Sequence, residues 1–220
     1  MNQKQKKCER KRERILIKIM DNNQIILSKK CIETIQRATT LLKIKTPEIY
    51  FINETSSRTE LYSQDLKFIS EDFRDIGYKI EKVRFIPKEY VIYINTKIFE
   101  NEISMLCHCY QISRYVYQID EVRKLKNNLP YNDTEPGIRQ WAYMFDHITD
   151  GVNHTNSPIC YDMMAFAKIM LKEFHNIQIS FKDSSNKYVD DEVNSINRSN
   201  LKKNINSYKR KMNYTKGKNF

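Results

Sequence analysis

A short strand that runs directly into a long helix constrains this chain more than any other stretch. Val91, Ile92, Tyr93, Ile94 and Asn95 are mostly β-branched or aromatic, residue types that suit a pleated, half-buried surface. A helical pattern follows over residues 98–126. At about 100° per residue, Met105, Cys109, Ile112, Val116 and Ile119 share one stripe, the mark of a core-facing helix. Gln111, Tyr115 and His108 lie on the flank beside it. Ahead of the strand, residues 82–86 and 90–95 are separated by Pro87 and Lys88 and read as a hairpin.

The other segments arrange themselves around this unit. From Ser28, a possible N-cap, Cys31, Ile35, Ala38 and Leu42 fall at helical spacing. Residues 21–24 ahead of it read as a turn. Pro47 stops this helix, because the residue before a proline disfavours the helical region. Residues 48–53 read as a strand, 61–73 as a helix, and Gly77-Tyr78 as a turn. Pro130 and Pro136 bracket a loop, and residues 137–147, with the single Trp141, read as helical. The clearest helix opens with Ser157 as cap and Pro158 at the first helical position. It carries Ile159, Met163, Phe166, Ala167, Met170 and Phe174 on one stripe and ends at Asn176. Residues 177–180 read as a last strand. Beyond Phe181 the scattered Val189, Val193, Ile196, Leu201 and Ile205 fit either a docked amphipathic helix or a disordered extension.

The fold class expected from this order is α+β, with helices packed on a short, mostly antiparallel sheet. The expected organisation is a basic segment 1–27, one domain 28–180 and a basic extension 181–220. At 220 residues, 40% hydrophobic and 30% charged, the chain has room for one sizeable core. It holds no apolar run of membrane-spanning length and no signal-peptide pattern, so a cytoplasmic place and no membrane partner are expected. Five cysteines then fit reduced thiols. Four glycines and no G-x-G-x-x-G or G-K-[ST] motif argue against a phosphate-cradling loop.

The net charge of +11 sits at the two ends. Residues 1–30 have ten Lys and Arg against three Asp and Glu, a net +7, and residues 181–220 have ten against four, a net +6. The middle is close to neutral at −2, with eighteen against twenty. Basic ends pair with nucleic-acid phosphates or with an acidic protein face, or they are solvated termini. The candidate contact residues are Arg10, Lys11, Arg12 and Arg14 at one end and Lys202, Lys203, Lys209, Arg210 and Lys211 at the other. The interleaving of Tyr208 and Tyr214 with Lys209, Arg210 and Lys211 also suits stacking on single-stranded nucleic acid.

The strand-to-helix order, with Arg114 and the pair Tyr117-Gln118 at the tail, resembles the zincin-like metallopeptidases, in the small bacterial and phage group related to ImmA/IrrE. In that group the helix carries H-E-x-x-H, and a later helix opening with Pro carries Glu-x-Asp-Ala-x-Ala-Phe-Ala, whose Glu is the third zinc ligand. Residues 157–168 match the second pattern at Asp162, Ala165, Phe166 and Ala167. The resemblance covers residues 30 to 180. The chemical positions depart from it: Gln111 and Tyr115 replace the two His, Ile112 the Glu, and Cys160 the third ligand.

A catalytic zinc needs three protein ligands and an open position for water. Gln is a poor neutral donor, and Tyr must lose a proton with an ordinary pKa of about 10. Ile112 removes the carboxylate that takes the proton of metal-bound water. The resemblance therefore implies a degenerate, catalytically inactive scaffold with no cofactor, used as a binding module. By analogy with its phage and mobile-element relatives, the expected partner is a host protein or nucleoprotein complex, one form being an anti-CRISPR-like inhibitor of a bacterial defence nuclease, with RNA or DNA contact through the basic termini. Two competing chemistries use other residues. His108, Cys109 and Cys160 are the candidates for a shifted metal site in a metallohydrolase, although Cys107 and Cys109 point about 160° apart on a helix. Cys160 near a helix start, where thiol pKa falls, with His108 or His154 as base and Asp162 as orienter, is the candidate set for a cysteine hydrolase. His147, His154 and His175 otherwise read as surface or loop residues.

Overall fold

The computed structural model describes residues 22–54, 59–70, 81–133, 135, 137–147, 157–181, 183–198 and 200–216. The described residues are α+β: six α-helices and a five-stranded mixed sheet. They divide into two compact units. One takes residues up to Glu33 and those from Pro47 to Met105, and the other takes Thr34–Thr46 and everything from Leu106 onward.

The first unit holds the sheet. Strands β1 (Glu48–Glu54), β2 (Thr59–Ser63), β3 (Phe68–Ser70), β4 (Val83–Ile86) and β5 (Val91–Asn95) lie in the order β3-β2-β1-β5-β4. The expected hairpin is β4–β5, antiparallel with Val83 opposite Ile94 and Ile86 opposite Val91. Its connection closes with Tyr90 at φ 58°, whose N–H donates to the Ile86 carbonyl at 2.9 Å. β5 pairs in parallel with β1, Ile49 opposite Ile92 and Phe51 opposite Ile94. All five residues of β5 are buried, as its place between β1 and β4 and its mostly apolar composition favour. Ile52, Leu61, Val91 and Tyr93 form an apolar cluster across three strands, and Tyr50 stacks on Tyr93 at 5.6 Å.

Two sequence expectations fail between Pro47 and Met105. Residues 61–73 are not helical where described: β2 runs through Ser63, Leu66 turns the chain at φ 58°, and β3 follows. The register shift between Leu61 and Tyr62 breaks the alternation that would have signalled strands. Gly77-Tyr78 lies outside the described residues. The helix expected from residue 98 is preceded by a 3-10 turn, Thr96–Glu100, capped by the Asn95 side chain. The α-helix proper, α2 (Glu102–Lys126), starts where Asn101 accepts the Ser104 N–H at 2.9 Å, an N-cap.

The helix α1 (Asn22–Leu42) buries Cys31, Ile35, Ala38 and Leu42 as expected. Residues 22–24 are already helical, however, so Ser28 is no cap. It lies within the helix, fully buried, and its hydroxyl has no hydrogen-bond partner.

The second unit is helical. It contains the C-terminal part of α1, most of α2, and α3 (Ile138–His147), α4 (Pro158–His175), α5 (Asp183–Arg198) and α6 (Leu201–Lys216). Ser157 caps α4 by accepting the Cys160 N–H, Pro158 opens it, and Asn176 closes it in the left-handed region at φ 55°. Residues 177–180 form no strand. The polar C-terminal sequence forms α5 and α6, which bury Val189, Ile196, Leu201 and Ile205. Lys168 pairs with Asp190 at 2.7 Å and Tyr161 stacks on Tyr188 at 5.0 Å, tying α5 to α4.

Candidate functional site

α2 is buried on two sides, which one apolar stripe did not anticipate. Met105, Cys109, Ile112 and Val116 are buried as expected, while Ile119 is half-exposed. About 180° around the helix, Arg114, Tyr117, Gln118 and Glu121 are buried as well. A buried cation is tolerated only when paired and hydrogen-bonded, and Arg114 is both. Its side chain is 1% exposed. It donates to Asp162 through Nε at 2.7 Å and Nη2 at 2.9 Å, and to Glu135 through Nη2 at 2.6 Å and Nη1 at 3.5 Å. Its guanidinium also faces the rings of Tyr117, Trp141 and Phe166 at 4.8, 5.2 and 5.7 Å.

The carboxylates have further partners. Gln118 Nε2 donates to Asp162 at 2.6 Å and to the Ile159 carbonyl at 3.2 Å. Tyr117 donates its hydroxyl to Glu135 at 3.0 Å, and accepts from Asn132 at 2.9 Å. Glu121 accepts from the Asn132 N–H at 2.6 Å and pairs with Lys124 at 2.5 Å. The Gln118 carbonyl oxygen is buried without a partner. Burial disfavours the Arg114 cation, but Asp162 and Glu135 overcome it and raise its pKa. Burial raises the Asp162 pKa too, and the contacts from Arg114 and Gln118 offset this only in part. Burial and then Glu135 raise the Tyr117 phenol, so it stays a donor.

The residues that match the two sequence patterns thus come together: Arg114, Tyr117 and Gln118 of α2 meet Asp162 and Phe166 of α4. Glu135, from the loop between prolines, completes the set. No sequence signal marked Glu135, but an Arg and an Asp at buried registers of two helices are a readable sign of a pair.

The altered positions lie elsewhere. Ile112 is buried, Gln111 is half-buried, and Tyr115 packs its ring edge-on against Phe145 at 6.0 Å. Cys160 lies about 160° around α4 from Asp162, and burial raises its thiol pKa above the ordinary value despite the helix start and Ser157. These four do not fit a zinc ion: one has no donor atom, one is a neutral amide, and two must be ionised against burial or ring packing. Cys109 is fully buried, and burial pushes the Cys107 thiol up to about 11. Among the described residues no group of three His, Cys, Asp or Glu could hold a metal ion, so His108, Cys109 and Cys160 do not converge. Asp162 is committed to Arg114 and Gln118 and, among the described residues, orients no base for Cys160.

Of the histidines, His154 lies outside the described residues. His147 is exposed at the end of α3, with Nδ1 2.7 Å from the Tyr143 carbonyl oxygen. His175 is not a loop residue: it ends α4, half-buried, 2.9 Å from the Tyr110 hydroxyl. Arg37 approaches both, at 3.4 and 3.3 Å, and lies over Phe174 at 5.1 Å.

The basic candidates divide in the same way. Arg10, Lys11, Arg12 and Arg14 lie outside the described residues. Lys202, Lys203, Lys209, Arg210 and Lys211 all fall on α6, which has no acidic residue. Lys209 is tied to Glu173 and lies over Phe174 at 5.3 Å, while Lys202, Lys203, Arg210 and Lys211 are exposed.

Two adjoining grooves, each about 270 Å³, run between α6 and the end of α1. Both are lined by Leu41, Lys43 and Asn204. The first is lined further by Arg114, Glu121, Lys124 and Glu135, and the second by Ser207, Tyr208, Lys211 and Met212. Asn204 donates to the Leu41 carbonyl at 3.0 Å and joins the two walls. No helix among the described residues is long and apolar enough to cross a membrane. Compared with protein-family models, curated proteins and solved structures, the chain matches none.

Proposed function

We propose that this chain is a non-catalytic binding module on a degenerate zincin-like scaffold, acting in the cytoplasm of a bacterial host on a host protein or nucleoprotein. The observation that carries the reading is the split between the two classes of motif residue. Arg114, Gln118 and Asp162 hold one buried network between α2 and α4. The positions that would bind metal and move protons hold Gln111, Ile112, Tyr115 and Cys160 instead. The edge hairpin β4–β5 leading into α2 is the order that the resemblance implies. A scaffold that keeps its internal lock and lacks its ligands retains its shape and surface, and α6 carries six basic residues and no acidic one. An inhibitor of a defence nuclease, anti-CRISPR-like in kind, is the concrete form that joins basic surfaces to a phage-type scaffold.

The test has two arms on the full chain. Metal analysis of untagged protein is expected to find less than about a tenth of an equivalent of zinc, against about one for a three-ligand site. Capture from bacterial extract is expected to retain a defined protein or nucleoprotein. Stoichiometric zinc with peptidase activity, or no retained macromolecule, refutes the reading.

A further inference from the structure

We propose that the second groove, between the end of α1 and α6, binds single-stranded nucleic acid, with Lys43 and Lys211 on phosphates and Tyr208 and Met212 under a base. This rests on the reading of the chain as a binding module and names the ligand that one surface takes.

Charge complementarity selects the occupant. The groove is lined by Thr40, Lys43, Asn204, Ser207, Lys211 and Met212 with Leu41 and Tyr208, and by no acidic residue. The adjoining groove is lined by Glu121 and Glu135 as well as by Arg114 and Lys124, and these cations are already paired with the two carboxylates, so it offers phosphate less than the second groove does. The strand is therefore directed along the α6 side, where six basic residues stand on a helix without a single Asp or Glu. At about 100° per residue, Asn204, Ser207 and Lys211 share the groove-facing side, with Tyr208 next to them. Lys202 and Arg210 lie about 100° to 180° away from Lys211, outside the groove.

The shape selects a single strand. Tyr208 is half-buried, held edge-on against Phe174 at 5.9 Å, and Met212 is 44% exposed beside it. A positioned ring and a thioether offer an apolar platform on which an unpaired base stacks without sequence preference. Thr40, Ser207 and Asn204 add hydroxyl and amide groups suited to base edges and sugars. The walls are already joined by the Asn204–Leu41 hydrogen bond, so the site is formed before the ligand arrives.

The experiment titrates the full chain into fluorescein-labelled 20-nucleotide single-stranded DNA and RNA, read by anisotropy at several salt concentrations. Lys43→Gln with Lys211→Gln is compared with Lys202→Gln with Arg210→Gln, which removes the same charge outside the groove. Circular dichroism establishes that both variants fold. The groove pair is expected to weaken binding about tenfold or more and to flatten the log–log salt slope by about 1.4, the value for two phosphate contacts on a single strand. The control pair is expected to weaken it less than about threefold. Equal losses in the two variants refute the groove, as does tighter binding of a poly-glutamate peptide or of duplex DNA. Absence of any strand binding also refutes it, and leaves the broader reading standing if a host protein is still captured.

Discussion

Replacing Arg114 with Met should be among the most damaging single changes in the helical unit, and the damage should depend on pH. Met keeps an unbranched apolar stem but not the guanidinium, so Asp162 and Glu135, 3% and 4% exposed, lose their counter-ion. Breaking a buried pair in this way costs about 3–5 kcal/mol. The cheapest relief is to protonate one carboxyl. At about 1.4 kcal/mol per pH unit above an ordinary pKa of about 3.9, that costs up to about 4 kcal/mol at pH 7 and about 1.5 kcal/mol at pH 5. Asp162 already lies above the ordinary carboxylate value because of burial, so part of this cost is present in the native chain. The sign follows: in Arg114→Met the folded carboxyl pKa rises further above the unfolded one. The deficit is therefore smallest near pH 4 and grows as pH rises. Trp141, the single tryptophan, lies 5.2 Å from the guanidinium, so urea unfolding followed by its fluorescence reads this unit directly. A loss of less than about 1 kcal/mol at pH 7, or one unchanged between pH 7 and pH 5, would refute the assignment of Arg114 as counter-ion to buried carboxylates.

Three further outcomes follow from the same geometry. The variant Arg114→Met, Glu135→Leu, Asp162→Leu leaves no uncompensated charge and should recover most of the stability lost by Arg114→Met, since apolar replacement of a whole buried ion cluster is often neutral or better; urea unfolding at pH 7 decides it. Gly137→Ala places a Cβ 2.7 Å from Trp141 Cε2 and should cost about 1–3 kcal/mol by overpacking, with a shifted tryptophan emission maximum. Burial holds the Cys107 thiol at about 11 against an unfolded value of about 8.5–9, so its contribution is complete below pH 8.5 and is lost as pH rises to 11. Cys107→Ser should flatten that alkaline part of the stability profile, and native Cys107 should react with iodoacetamide at pH 8 many times more slowly than in urea.

The strand β5, the start of α4 and its end were legible because local chemistry decides them: β-branched residues, Ser157 before Pro158, and an asparagine in the left-handed region. The misread segments are those where tertiary structure overrides the local pattern. Ser28 has the chemistry of a cap but sits inside α1, because the helix begins earlier than its apolar stripe. Leu61, Leu66 and Phe68 have no strand period, because a register shift and a left-handed Leu66 divide two very short strands. α2 is the sharpest case. A helix buried on one side shows a stripe, but this one is buried on two, and the second side is polar. The apolar stripe therefore marks only one of its two buried sides, and nothing in the helical pattern separates Arg114 and Gln118 from solvent-facing residues. Only the resemblance, in which Arg114 and Gln118 stand at the tail of the first helix, sets them apart.

That buried polar side bears on how the surface could work. An Arg held between two carboxylates is a weak source of net stability, since packed apolar residues would do as well. What it supplies is direction: the fork of the guanidinium fixes one rotation and one height of α2 against α4, and Glu135 fixes the intervening loop to both. Arg114 and Glu135 line the first groove, and that groove shares a wall with the basic one. A ligand that binds along α6 therefore meets a support whose side chains are already immobilised, and the ordering entropy that weakens flexible basic tails has largely been lost before it binds. On this argument the polar lock and the basic groove belong to one design. Disturbing the lock should loosen the groove in a chain that still folds, so that affinity falls through a faster dissociation rate while electrostatic association is unchanged.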